Sequence, residues 1–72
     1  MLETTTIRLD AAKVCSHYNS GANYAACRPL EIDLERDGIK AKIHADSFTI
    51  SVEIYTRDLL AAASTLTVLR LL

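Results

Sequence analysis

From Leu30 to Tyr55 apolar and polar residues alternate with period two in three successive runs. In LEIDLER the apolar set is Leu30, Ile32 and Leu34. In IKAKIHA it is Ile39, Ala41, Ile43 and Ala45, and in FTISVEIY it is Phe48, Ile50, Val52 and Ile54. Such alternation is the mark of half-buried strands, since successive side chains point to opposite faces of a sheet. It predicts an antiparallel three-stranded meander over about 30–36, 39–45 and 48–55. The pair Asp37-Gly38 suits a two-residue type I′ hairpin, which needs positive φ. That turn would set Glu35 opposite Lys40, Asp33 opposite Lys42 and Glu31 opposite His44. An Asp46-Ser47 turn would then set Lys40 opposite Glu53, Ile43 opposite Ile50 and Ala41 opposite Val52. The carboxylate row Glu31, Asp33, Glu35 would be a solvated, salt-bridged face, its members roughly 7 Å apart and too distant to share a ligand.

The apolar face of that sheet needs a cover, and the tail supplies it. Thr56 is a suitable N-cap, Asp58 lies where the helix macrodipole favours an acid, and LLAAAS has high helix propensity. A C-terminal helix is expected over about 57–70, with Leu59, Ala62, Ala63 and Leu66 on one face. TLTVLRLL, over 65–72, also suits a strand through its β-branched residues. Either way its leucines exceed what a small sheet needs, which points to a homodimer contact through the C-terminal leucines. Near the other end TTTIRL reads as a strand over about 4–9 that extends the sheet. Residues 10–29 allow two readings, a helix AAKVCSHY capped by Asp10 or a hairpin of KVCSHY and NYAACR. Pro29 is the one sharp boundary before the sheet.

With 72 residues, half of them hydrophobic and only two glycines and one proline, the chain makes one α+β domain spanning 1–72. A core with no tryptophan and a single phenylalanine is aliphatic. Eight basic and nine acidic residues are spread along the chain, for a net charge of −1. That balance disfavours a domain built on phosphate neutralisation. The N-terminus MLETTTIRLD has no apolar core of a signal peptide, and the longest apolar run is broken by Ser64, Thr65, Thr67 and Arg70. The expectation is a cytoplasmic protein with no membrane span, whose two cysteines are thiols.

Candidate chemistry concentrates in CSHYNSGANYAAC, residues 15–27. Cys15, His17, Cys27 and His44 are acceptable zinc ligands, but their spacing matches no standard site. A Cys15–Cys27 disulfide requires the hairpin reading and an oxidising compartment. A cysteine–histidine nucleophile lacks an orienting third group and a cleft, and no phosphate loop, G-x-S-x-G or H-E-x-x-H motif is present. Nucleic-acid binding would use Arg8, Lys13 and Arg28 with Tyr18 and Tyr24 as stacking faces. Tyrosine, asparagine and glycine in a loop also make an adaptable protein contact. The expected partner-binding residues are Tyr18, Asn19, Asn23, Tyr24 and Arg28, with Glu31, Asp33 and Glu35 as an acidic edge that mimics phosphates. No catalytic residue, cofactor or metal is expected. Size and elimination lead to a non-enzymatic module that binds another protein or protein complex. Inhibitors and adaptors acting on larger machines, such as antitoxins or phage-encoded anti-CRISPR proteins, are of this kind. A nucleic-acid-binding regulator or a self-assembling subunit are the alternatives.

Overall fold

The computed structural model describes residues 2–72. Its elements run β1 (Thr4–Asp10), α1 (Ala11–Tyr18), α2 (Asn23–Arg36), β2 (Ala41–Ala45), β3 (Thr49–Tyr55), a 3₁₀ turn (Thr56–Asp58) and α3 (Leu59–Val68). The three strands form one antiparallel sheet in the order β1-β3-β2, so the chain has the expected α+β fold with an N-terminal strand, a sheet and a C-terminal helix. The helices lie against one face. Ile50, Val52 and Ile54 of the central strand point into a wholly aliphatic core with Leu9, Val14, Leu30, Leu34, Leu66 and Leu71. Cross-strand layers repeat along the sheet: Leu9–Ile50–Ala45, Ile7–Val52–Ile43 and Thr5–Ile54–Ala41. Small residues on β2 leave room for α2 to approach.

The third strand of the sheet is β1, and residues 30–36 are not a strand. They form the second half of α2. Leu30 and Leu34 are fully buried, and Ala26 precedes them at the same spacing, so the apolar set is i, i+4, i+8. Ile32, which alternation placed beside them, is 37% exposed. Period two and a four-residue repeat share Leu30 and Leu34, which is why this run imitates a strand. Pro29 lies inside α2 and does not bound it. It removes the bond to the Ala25 carbonyl, and Ala25 is on the exposed side, where solvent can replace it. Of the two readings of 10–29, the helix holds: Asp10 accepts the Ala12 N–H at 3.1 Å and caps α1.

Asp37-Gly38 accordingly closes a helix and makes no hairpin. Gly38 has φ 77°, its N–H donates to the Glu35 carbonyl, and the Ile39 N–H donates to the Leu34 carbonyl at 3.0 Å. This is a Schellman motif, in which glycine takes the left-handed position and buried Ile39 packs back on Leu34. The same pattern ends the other helices. Asn19 (φ 52°) follows α1, with the Ser20 N–H donating to Cys15, and Arg70 (φ 61°) follows α3, with the Leu71 N–H donating to Leu66. The tail is therefore helical to Val68 and then folds Leu71 back into the core.

These caps predict opposite signs for two substitutions. A Cβ at Gly38 meets nothing within 4 Å, so Gly38→Ala should cost only backbone strain, about 1–2 kcal/mol. Arg70→Gly should relieve comparable strain and gain about 0.5–1 kcal/mol after the added freedom of the unfolded chain is deducted. Urea midpoints of the two variants, falling and rising respectively, check this.

The β2–β3 turn is also centred differently. Ala45 pairs with Ile50, Ile43 with Val52, Lys42 with Glu53 and Ala41 with Ile54, so Ser47 and Phe48 form the tip and the register is shifted by two from the expected one. Every side chain of these strands from Ala41 to Ala45 and Thr49 to Tyr55 keeps its expected face. Phe48, which alternation assigned to the core, falls in the turn and is 83% exposed.

Candidate interaction surface on helix α2 and the adjoining turn

Helix formation regroups the residues that sequence reasoning had assigned to a loop and a strand. At 100° per residue, Tyr24, Arg28, Glu31 and Glu35 fall within about 60° of one another around α2, on a stripe centred about 130° from the buried Ala26, Leu30 and Leu34. Ile32 borders the same stripe. Tyr24 is 79% exposed at its start. Arg28 and Glu31 pair across one turn, with the Arg28 side chain still mostly in solvent.

The remaining candidates are engaged inside the protein. The Tyr18 hydroxyl donates to Asp33 Oδ2 at 2.6 Å, tying the end of α1 to α2. Burial, then this hydrogen bond to Asp33, then the Asp33 charge raise the Tyr18 pKa well above the usual phenol value. Asp33 also accepts from Arg36 at 3.4 Å. Asn19 supplies the left-handed cap of α1. The expected acidic edge is therefore dispersed, because residues two apart on a helix point to nearly opposite sides. Glu31 and Glu35 share a face, whereas Asp33 turns toward Tyr18.

Asn23 joins α2 to the β2–β3 turn. Its side-chain amide donates to the Asp46 carbonyl at 2.7 Å and to the Ser47 carbonyl at 3.1 Å, and its Oδ1 accepts the Cys15 thiol at 3.2 Å. The turn is fixed from within by Asp46, whose Oδ1 accepts the Phe48 N–H at 3.0 Å and the Thr49 N–H at 2.8 Å. The Phe48 carbonyl in turn accepts the Ala11 N–H at 3.0 Å, at the start of α1. Both backbone groups of Phe48 are thus held while its ring stands in solvent. Tyr24 and Phe48 are each the neighbour in sequence of residues joined by these bonds, so two exposed aromatics share one end of the molecule. Phe48 escaped sequence reasoning because it continues the parity of Ile50; the signal was Asp46, a carboxylate placed to bind the N–H groups two and three residues on.

The Asp46 bonds carry a pH prediction. The Phe48 and Thr49 N–H groups hold its carboxyl below the usual aspartate value. A group with a lowered folded-state pKa adds stability above its unfolded value, near 4, and loses it as pH falls through the folded value. The difference in thermal midpoint between the wild type and Asp46→Asn should therefore be present at pH 7 and shrink as pH falls below the usual aspartate range and through the lowered folded-state value.

The other chemistry-bearing residues are distributed as follows. His44 lies on the open face of the sheet opposite Ser51, whereas Cys15 and Cys27 belong to the helical layer, so the zinc set is split. His17 is exposed and meets Tyr18 edge-on at 4.6 Å between ring centres. Both cysteines are free thiols. Cys27 donates to the Asn23 carbonyl at 3.7 Å, and burial, then Cys15, then Glu31 push its pKa up, which makes it a poor nucleophile at neutral pH. Arg8 lies on the outer sheet face and Arg28 on α2, so the basic residues do not form one track. A shallow depression of about 410 Å³ at the far end of the sheet is bordered by Glu35, Lys40, Lys42, Glu53 and Tyr55, two charges of each sign. No helix among the described residues is long and apolar enough to cross a membrane. No family model, curated protein or solved structure matches the chain.

Proposed function

We propose that this chain is a non-enzymatic protein-binding module, an inhibitor or adaptor that acts by occupying a surface of a larger protein or complex. Antitoxins and anti-defence proteins work in this manner. The observation that carries the reading is the Tyr24–Phe48 pair: two exposed aromatic rings at one end of the fold, one on a helix and one on a turn whose backbone is pinned at both polar groups. Large aromatics anchor interfaces because they bury much area at little rotamer cost, and a fixed backbone reduces the ordering cost of binding. Arg28, Glu31 and Glu35 along α2 supply the polar rim that gives such a contact its register.

Affinity capture of the tagged protein from a host lysate, with and without nuclease, tests this reading. A stoichiometric protein complex that survives nuclease in the wild type and disappears in Tyr24→Ala/Phe48→Ala supports it. Capture lost with nuclease replaces it with nucleic-acid binding, whose affinity would fall steeply with salt.

A further inference from the structure

We infer that Cys15 and Cys27 form a dithiol site, which a low-molecular-weight disulfide such as glutathione disulfide oxidises to an intramolecular Cys15–Cys27 bridge between α1 and α2. This inference is independent of the aromatic contact. A hairpin over 10–29 would have joined the two residues across strands; the helical structure brings them together by another route. The connection 19–22 turns α2 back against α1, and each cysteine lies within about two helical turns of it. Both thiols then converge on Asn23, the first residue of α2. The Cys15 thiol donates to its side-chain Oδ1 at 3.2 Å, and the Cys27 thiol donates to its backbone carbonyl at 3.7 Å. Residues 23 and 27 are i, i+4, so Cys27 shares the side of α2 on which Asn23 meets Cys15. Packed helices have axes about 8–10 Å apart and Cα atoms on cylinders about 2.3 Å in radius, which leaves facing Cα atoms roughly 4–6 Å apart. A disulfide bridges that separation. Both cysteines are half-buried free thiols.

The chemistry is two successive exchanges. The thiolate of one cysteine, its proton given to solvent, attacks glutathione disulfide. A mixed disulfide forms and one glutathione thiolate leaves. The thiolate of the other cysteine then attacks the protein sulfur of that mixed disulfide, forming the Cys15–Cys27 bond and expelling the second glutathione. The dithiol loses two electrons and two protons, and glutathione disulfide gains them as two thiols. Burial first, then the neighbouring Cys15 and Glu31, raise the Cys27 pKa, so closure should quicken as pH rises from about 7 to about 9. Closure also removes both thiol donors from Asn23, whose amide holds the β2–β3 turn.

The test is incubation of the reduced protein with glutathione disulfide, acid quenching at intervals and peptide mapping by mass spectrometry. It is run on the folded protein and on the same protein unfolded in urea. The folded wild type should yield a single chain lighter by two hydrogens, with residue 15 linked to residue 27. Conversion of mixed disulfide to bridge should be at least about tenfold faster folded than in urea, because the helices hold the thiols together. Cys15→Ser and Cys27→Ser, verified as folded by circular dichroism, should each stop at one bound glutathione. A folded wild type that carries glutathione without bridging, or that takes up none and forms no bridge, overturns the inference. So does closure no faster in the folded protein than in urea, or a link between two chains in place of the 15–27 bridge.

Discussion

Leu34→Ala should destabilise the protein by about 2–5 kcal/mol, and Ile32→Ala, two residues away, by about 1 kcal/mol or less. The contrast follows from α2. Leu34 is fully buried among Leu30, Ile39 and the central strand, and its removal leaves a cavity in a close-packed aliphatic core. Ile32 lies at the edge of the solvent stripe, and alanine there partly recovers its lost contacts through higher helix propensity. A domain of this length has total stability of roughly 4–10 kcal/mol, so Leu34→Ala alone should bring much of the population close to unfolding. Leu30→Ala should behave in the same way. Urea unfolding of the three variants checks the result. If 30–36 were a strand, all three leucine and isoleucine positions would face the core alike, and equal losses at Leu30, Ile32 and Leu34 would refute the helix.

The second large effect concerns binding and should leave the fold intact. Tyr24→Ala with Phe48→Ala is expected to weaken partner binding by about 10³-fold, on the basis of roughly 2 kcal/mol for each aromatic anchor. The thermal midpoint should hardly move, because both rings stand in solvent and neither contributes to the core. The backbone bonds that fix the turn, from Asn23, Asp46 and Ala11, survive both substitutions. Arg28→Ala is expected to have a smaller effect, since its partner Glu31 is on the same helix and an exposed pair contributes little. Titration of the captured partner against each variant, with a melting curve beside it, separates the outcomes. A double variant that binds normally removes the aromatic end from the interface. A variant that unfolds shows the rings to be structural.

Local pattern by itself determined β2, β3, the N-terminal strand and the C-terminal helix. In the strands Ile43, Ile50, Val52 and Ile54 alternate, and in the helix Ala62 and Leu66 are a turn apart, although from residue 65 on the β-branched residues allowed a strand as well. It also determined that the core is aliphatic, since the chain has almost nothing else to bury. The tyrosine and the charged residues of the contact surface were legible as candidates by type. Their arrangement was not. Leu30, Ile32 and Leu34 satisfy a strand over seven residues, and only Ala26, lying on the far side of Pro29, shows the helical repeat. Asp37-Gly38 fits a hairpin and a helix C-cap equally, because both need a residue that tolerates positive φ. Tertiary packing settled both. The edge of β2 that a strand at 30–36 would have paired is left as an edge of the sheet, and α2 can bury Ala26, Leu30 and Leu34 together only as a helix lying across β2. That choice placed Tyr24, Arg28, Glu31 and Glu35 on one face. Phe48 is a product of the tertiary structure in the same sense. Its exposure depends on where the turn closes, and Asn23 and Ala11, both distant in sequence, hold the turn where it is.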